Sequence, residues 1–121
     1  MTRDLLMALE LTATQALGLW HRVTLEQVQH DGRDLTMRQF AVLLEIYLVP
    51  PPHTVRGLAA TLQVTKPVIT RALDTLGEMG LVDRVRDPLD RRSVIVKRTV
   101  VGALFLEKFG DRIIAKGRAL G

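Results

Sequence analysis

The sequence predicts a mainly α-helical fold with one small β-hairpin, organised as a single domain of 121 residues. Three observations predict it. Apolar residues recur at helical spacing in five stretches, separated by glycine, proline and polar breaks. Two short runs rich in β-branched residues flank a four-residue turn. Aromatic residues make up 4% of the chain against 47% apolar, so the core must be aliphatic.

The first helix is read over residues 3–29. Leu5, Leu6, Leu9, Ala13, Ala16, Leu17, Trp20, Val23 and Val28 recur along it at helical spacing. Asp31-Gly32 closes it, because glycine accepts the left-handed conformation past a helix end. This apolar face exceeds what so small a domain can cover by itself. Thr36-Met37-Arg38-Gln39 then matches a capping box, in which the threonine and glutamine side chains satisfy free amides reciprocally. Phe40, Leu43, Leu44 and Tyr47 follow, and Pro50-Pro51-Pro52 stops the helix, since proline has no amide to donate. Thr54 caps a short third helix from Val55 to Leu62, with Val55, Leu58, Ala59 and Leu62 inward. A tight connection, Gln63-Val64-Thr65, leads to the fourth. Thr65 is read as its cap, and Pro67 fits the first turn, where amides are unpaired anyway. Val68, Ala72, Leu73, Leu76 and Met79 form its inner face and Gly80 ends it. Leu81 to Arg86 and Ser93 to Arg98 read as strands around the turn Asp87-Pro88-Leu89-Asp90. Thr99 caps a last helix from Val100 to Leu120, carrying Leu104, Phe105, Phe109, Ile113 and Ile114. Gly102, Gly110 and Gly117 weaken that helix intrinsically, so it needs a packing partner.

Charge is spread unevenly. The chain is net +4, but residues 1–52 hold four basic and six acidic residues, while residues 53–98 hold nine basic and five acidic. Arg84, Arg86, Arg91, Arg92, Lys97 and Arg98 crowd into fifteen residues of the hairpin. By itself this fits either a solvated hairpin or an electrostatic footprint for phosphates. Cysteine is absent, which excludes disulfides, thiolate-zinc sites and thiol redox sensing. Arg3-Asp4 and Glu10 break any signal-peptide pattern. The most apolar run, Ala41 to Val49, contains Glu45 and is too short to span a bilayer. The expectation is a cytoplasmic protein without a membrane partner.

Helix, tight turn, helix and basic hairpin in this order make a winged helix-turn-helix. Its parts are a DNA-binding winged helix over residues 35–98, flanked by a helix at 3–29 and another at 99–121. Lys66, Pro67, Thr70, Arg71 and Thr75 fall on the outward face of the fourth helix, where lysine, arginine and threonine can meet phosphates or base edges in a major groove. Arg84, Arg86, Asp90, Arg91 and Arg92 belong to the wing, whose arginines suit a narrow, electronegative minor groove. Arg91 reads as a phosphate contact, and Arg84 either contacts phosphate or braces the wing.

The motifs resemble the MarR family of winged-helix transcription regulators. Leu35-Thr36-Met37-Arg38-Gln39-Phe40 resembles the family's second-helix opening, and Val55-Arg56-Gly57-Leu58-Ala59 the first helix of its DNA-binding unit. The run from Val64 to Leu76 resembles its recognition helix, Gly80 to Arg84 the wing entry, and Asp90 to Val96 the wing signature. The resemblance implies that Thr70 and Arg71 contact DNA, that Arg92 reaches into the minor groove, and that Asp90 orients it. It further implies a homodimer held by the first and last helices, a repressor, and a small-molecule effector of unidentified chemistry. Two departures stand out. Arg98-Thr99 replaces the family's Leu-Thr, and one helix after Thr99 takes the place of two.

Other signals carry less. His21, His30 and His53 have no metal-ligand spacing and read as solvated. Glu10 and Glu45 are isolated carboxylates, no nucleophile has a base beside it, and Gly77-Glu78-Met79-Gly80 is a helix end, not a phosphate loop. An enzyme, a metal site and a cofactor are therefore not expected. The reading is a sequence-specific regulator that binds double-stranded DNA as a homodimer. Its recognition helix is 66–79, its wing is 84–98, and its operator is a pseudopalindrome. The alternative is a winged-helix protein-interaction module with weak nonspecific DNA affinity, which Pro67 and Ile69 leave open.

Overall fold

The computed structural model describes residues 10–30 and 32–120. The chain forms two compact units, one running from Leu35 to Phe105 and one built from the segments before and after it. In the central unit, helices α2 (Met37–Leu48), α3 (Val55–Leu62) and α4 (Lys66–Glu78) pack with a three-stranded antiparallel sheet. The sheet order is β1 (His53–Thr54), β3 (Val94–Arg98), β2 (Val82–Arg86). The other unit pairs helix α1 (Ala13–His30) with the later turns of α5 (Val100–Arg118), whose first turns belong to the central unit.

Local chemistry fixes the boundaries. The predicted capping box at α2 is present, with Thr36 Oγ1 accepting from Gln39 N at 3.1 Å and Gln39 Oε1 accepting from Thr36 N at 2.9 Å. Thr54 Oγ1 caps α3 by accepting from Gly57 N at 2.9 Å. Gln63 ends α3 in the left-handed region, at φ 57°. Helix α4 ends in a Schellman motif. Gly80 stands at φ +74°, Gly80 N donates to Gly77 O, and Leu81 N donates to Leu76 O, each at 2.9 Å. The wing register is unbroken, from Val82 opposite Arg98 to Arg86 opposite Val94.

The core is aliphatic. Val42, Leu43, Ile46, Leu58, Ile69, Leu73, Leu76 and Leu81 are buried together in the central unit. Phe105 closes that unit against Phe40, with ring centroids 6.2 Å apart. In the other unit Val23 is fully buried and Trp20 meets Phe109 edge-on at 6.2 Å. Leu17, Trp20, Leu25 and Val28 on α1 stay exposed, as do Ile113 and Ile114 on α5. Arg112 is buried, donating to Gln27 Oε1, and Lys116 pairs with Glu26 at 3.3 Å.

Several expectations need correction. Residues 3–9 of the first predicted helix, with Leu5, Leu6 and Leu9, lie outside the described residues, as does Asp31. The described helix starts only at Ala13, because Thr12 and Gln15 form a second capping box at 2.9 and 3.1 Å. Thr65 occupies the N-cap position of α4 but its side chain makes no capping hydrogen bond. His53 is buried, not solvated, because it belongs to a third strand that the sequence reading missed. That strand pairs His53 with Val96, and His53 Nε2 bonds the Val49 carbonyl at 2.8 Å. Ile69 is fully buried and takes the inward place assigned to Val68, which is only half-buried.

Candidate nucleic-acid interface

Helix α4 divides cleanly into two faces. Ile69, Ala72, Leu73 and Leu76 anchor one in the core, so the opposite face must look outward. Lys66, Pro67, Thr70 and Arg71 are exposed there, and Thr75 is half-buried with its hydroxyl 3.4 Å from the Arg71 carbonyl. Four of the five predicted helix residues are thus free to meet a partner, and the fifth lies at the edge. The inward turn of Ile69 removes the apolar side chain that would suit this face to a protein.

Arg71 also lines a cleft of about 220 Å³ with Thr36, Arg38, Gln39, Val68, Ala72 and Thr75. Arg38, exposed in the first turn of α2, therefore adds a second guanidinium to the flank of α4. Sequence reasoning did not single it out, having taken Thr36 to Gln39 as a cap and Leu35 to Phe40 as a helix opening. At the other end of α4, Asp74, Glu78 and Asp83 line a hollow of about 500 Å³ with Arg84 as its cation. Basic groups crowd the amino-terminal half of the helix and acidic groups the carboxyl-terminal half. Phosphates are favoured at the first and repelled at the second.

The wing is held by its own arginines. Arg84 Nη2 lies 2.8 Å from Asp74 Oδ1, tying β2 to α4. This ion pair gives Arg84 the contact that a bracing role requires. Arg86 Nη1 donates to the Arg91 carbonyl and fastens the loop. Within the loop, Asp87 Oδ1 accepts from Leu89 N at 2.9 Å. Asp90 makes contacts of both kinds weighed for it. Its Oδ1 accepts from Arg92 N at 3.1 Å as a turn cap, and it stands 3.5 Å from Arg92 Nε. Arg92 is left with 93% of its side chain exposed, beside a carboxylate but not enclosed by it. Arg91 is exposed beside it.

The base of the wing holds the other residues that the sequence did not reveal. Tyr47 Oη donates to Leu81 O at 2.7 Å and accepts from Thr99 N at 2.9 Å. Thr99 Oγ1 donates to Gly80 O at 2.7 Å and accepts from Gly102 N at 2.9 Å, capping α5 as expected. Arg98 Nε donates to Ile46 O at 2.8 Å and Arg98 Nη2 to Val49 O at 3.0 Å, with the guanidinium 5.8 Å from the Tyr47 ring centroid. Among the described residues, no cluster of three histidine or acidic side chains could hold a metal, and no helix is long and apolar enough to cross a membrane.

A sequence profile of the MarR family matches residues 33–93. Solved structures share the fold. A point mutant of MepR from S. aureus bound to an oligodeoxyribonucleotide aligns with a TM-score of 0.76 at 22% identity, over 92% of this chain and 83% of that one. A mutant of MarR from E. coli, complexed with operator DNA, aligns at 0.65 and 29% identity, over 88% of this chain and 71% of its own. The transcriptional repressor CouR, bound to a 23-mer DNA duplex, aligns at 0.68 and 28% identity, over 86% and 70%.

Proposed function

The chain belongs to the MarR family of winged-helix transcription regulators, and from that premise we propose that it represses transcription by binding a pseudopalindromic operator as a homodimer. Each subunit lays the amino-terminal half of α4 in a major groove, with Lys66, Thr70 and Arg71 toward the DNA and Pro67 and Thr75 at the margins. Arg92 enters the flanking minor groove, while Arg91 and Arg38 neutralise phosphates. Arg84, Arg86 and Asp90 keep the wing in place. Two half-sites lie about one helical turn apart. Occlusion of a promoter gives repression, in keeping with the repressor named among the structural neighbours.

One observation carries this reading: the buried face of α4 leaves its basic and threonine residues outward, beside a wing whose Arg92 is paired with Asp90 yet open. The dimer reading is supported by Leu17, Trp20, Val28, Ile113 and Ile114, apolar side chains left exposed on the two flanking helices.

The test is binding of the purified chain to duplex from its own gene's upstream region. A scrambled duplex and a salt series run beside it. Tight binding that prefers the upstream duplex, with a steep salt slope, supports a specific regulator. Arg92→Ala is expected to weaken that binding without lowering thermal stability. Equal, weak binding to every duplex tested, including selected random sequences, would sink the proposal.

A further inference from the structure

The proline triplet and Arg98 are 46 or more residues apart in sequence, yet they meet at one place. In an α-helix each carbonyl accepts from the amide four residues on. For Ile46, Tyr47 and Leu48 those donors would be Pro50, Pro51 and Pro52, none of which has an amide hydrogen. Carbonyls at a helix end need another donor. For Ile46 O, Arg98 supplies it, with Nε at 2.8 Å, and Arg98 Nη2 donates to the neighbouring Val49 O at 3.0 Å. A cation at the carboxyl end of α2 is also favoured by the helix dipole. His53 Nε2 shares the Val49 carbonyl at 2.8 Å.

Arg98 is at the same time the last residue of β3, the central strand of the sheet and one arm of the wing. A five-residue strand is about 16 Å long, so a tilt of roughly 10° at its base moves the loop by about 3 Å. That is half the width of a minor groove of about 6 Å. We infer that Arg98 is a positioning residue for DNA recognition: by replacing the amide lost at Pro50 and bonding the neighbouring Val49 carbonyl it locks the base of the wing to α2 and so sets where Arg92 reaches. Its Nε and one Nη2 hydrogen donate to carbonyls, so its part in recognition runs through Arg92, and the salt dependence of binding distinguishes this from a phosphate contact. The inference rests on the DNA-binding reading for its purpose, but the latch has its own readout.

That readout is a distance. The chain has no cysteine, so spin labels can be placed at Leu48→Cys and Leu89→Cys, both exposed positions. In the parent, doubly labelled chain diluted into excess unlabelled chain is expected to give one narrow distance distribution between α2 and the wing tip by pulsed dipolar spectroscopy. Arg98→Leu should broaden it. Arg98→Lys, which keeps charge and stem but cannot bridge two carbonyls, should broaden it less and guards against loss of folding in the leucine variant. Pro50→Ala on the Arg98→Leu background returns an amide to Ile46 O and should narrow the distribution again. In unlabelled protein, Arg98→Leu should weaken binding to the preferred duplex about tenfold while the slope of log affinity against log salt stays unchanged. An unchanged distance distribution in folded Arg98 variants overturns the latch. A salt slope that falls by about one makes Arg98 a phosphate contact instead. A broadened distribution in a chain that prefers no duplex would leave the latch standing and remove the DNA reading.

Discussion

Adding one methyl group at Gly102 is expected to break the junction between the wing and the last helix. A Cβ built there would stand 2.0 Å from Tyr47 Oη and 2.3 Å from the Leu81 carbonyl oxygen. The tyrosine could swing away, but only by giving up its bonds to Leu81 O at 2.7 Å and Thr99 N at 2.9 Å. The carbonyl is backbone and cannot move alone. Two hydrogen bonds at about 1 kcal/mol each, with overpacking at about 1–3 kcal/mol, oppose a helix-propensity gain of about 1 kcal/mol for glycine to alanine. Gly102→Ala should therefore destabilise by about 2–4 kcal/mol net and lower the melting temperature by roughly 8–16 °C. Gly110 lies in the same helix with nothing within 4 Å of its Cβ position. Gly110→Ala should instead stabilise by up to about 1 kcal/mol. Urea unfolding of both variants and the parent, followed by far-UV circular dichroism, measures the pair. If Gly102→Ala is as stable as Gly110→Ala, the junction is not the constraint described here.

Four further outcomes are expected. Arg71→Ala should cost about 1–3 kcal/mol in binding and relax preference at one base position, as read by competition with single-base operator variants; a uniform loss on all sequences makes it a phosphate contact. Asp90→Ala should weaken DNA binding in the same direction as Arg92→Ala, and the double variant should lose little more than Arg92→Ala alone, because the two act as one unit. A double-mutant cycle of Asp74→Asn and Arg84→Gln should give a coupling in folding stability of only about 0.2–1 kcal/mol, since both partners are partly solvated. Trp20→Glu combined with Ile114→Glu should yield a folded chain that sediments as a monomer; an unchanged dimer would place the interface elsewhere.

Much of this fold was legible because it is written in local chemistry. The capping box at Thr36, the cap at Thr54, the glycine end at Gly80 and the turn at Asp87 to Asp90 each bind within three residues of themselves. The Thr12–Gln15 box was equally readable but was absorbed into a continuous apolar stripe. What sequence reasoning could not see is set by partners far along the chain. Two-residue β1 has no periodicity to detect, and its pairing with β3 is what buries His53. Arg84 reaches Asp74 only because the wing folds back on α4. Arg98 reads as one more charge in a basic hairpin until Ile46 and Val49 are seen beside it. On α4, Val68 and Ile69 are adjacent and equally apolar, so only the packing decides which points inward. The outward set of Lys66, Pro67, Thr70 and Arg71 survived that shift, since the four are spread over two turns.

The opposed charges along α4 have a kinetic meaning. A helix basic at its leading half and acidic at its trailing half carries a lever of charge that a polyanion turns before it touches. On the proposed DNA-binding reading, the field of a duplex is expected to rotate a tumbling subunit so that Lys66, Arg71 and Arg38 arrive ahead of Asp74, Glu78 and Asp83. Fewer encounters are wasted on wrong orientations, and the advantage fades as salt shortens the range of the torque. On that reading the acids on the far half of α4 shape the rate of recognition without touching what is recognised.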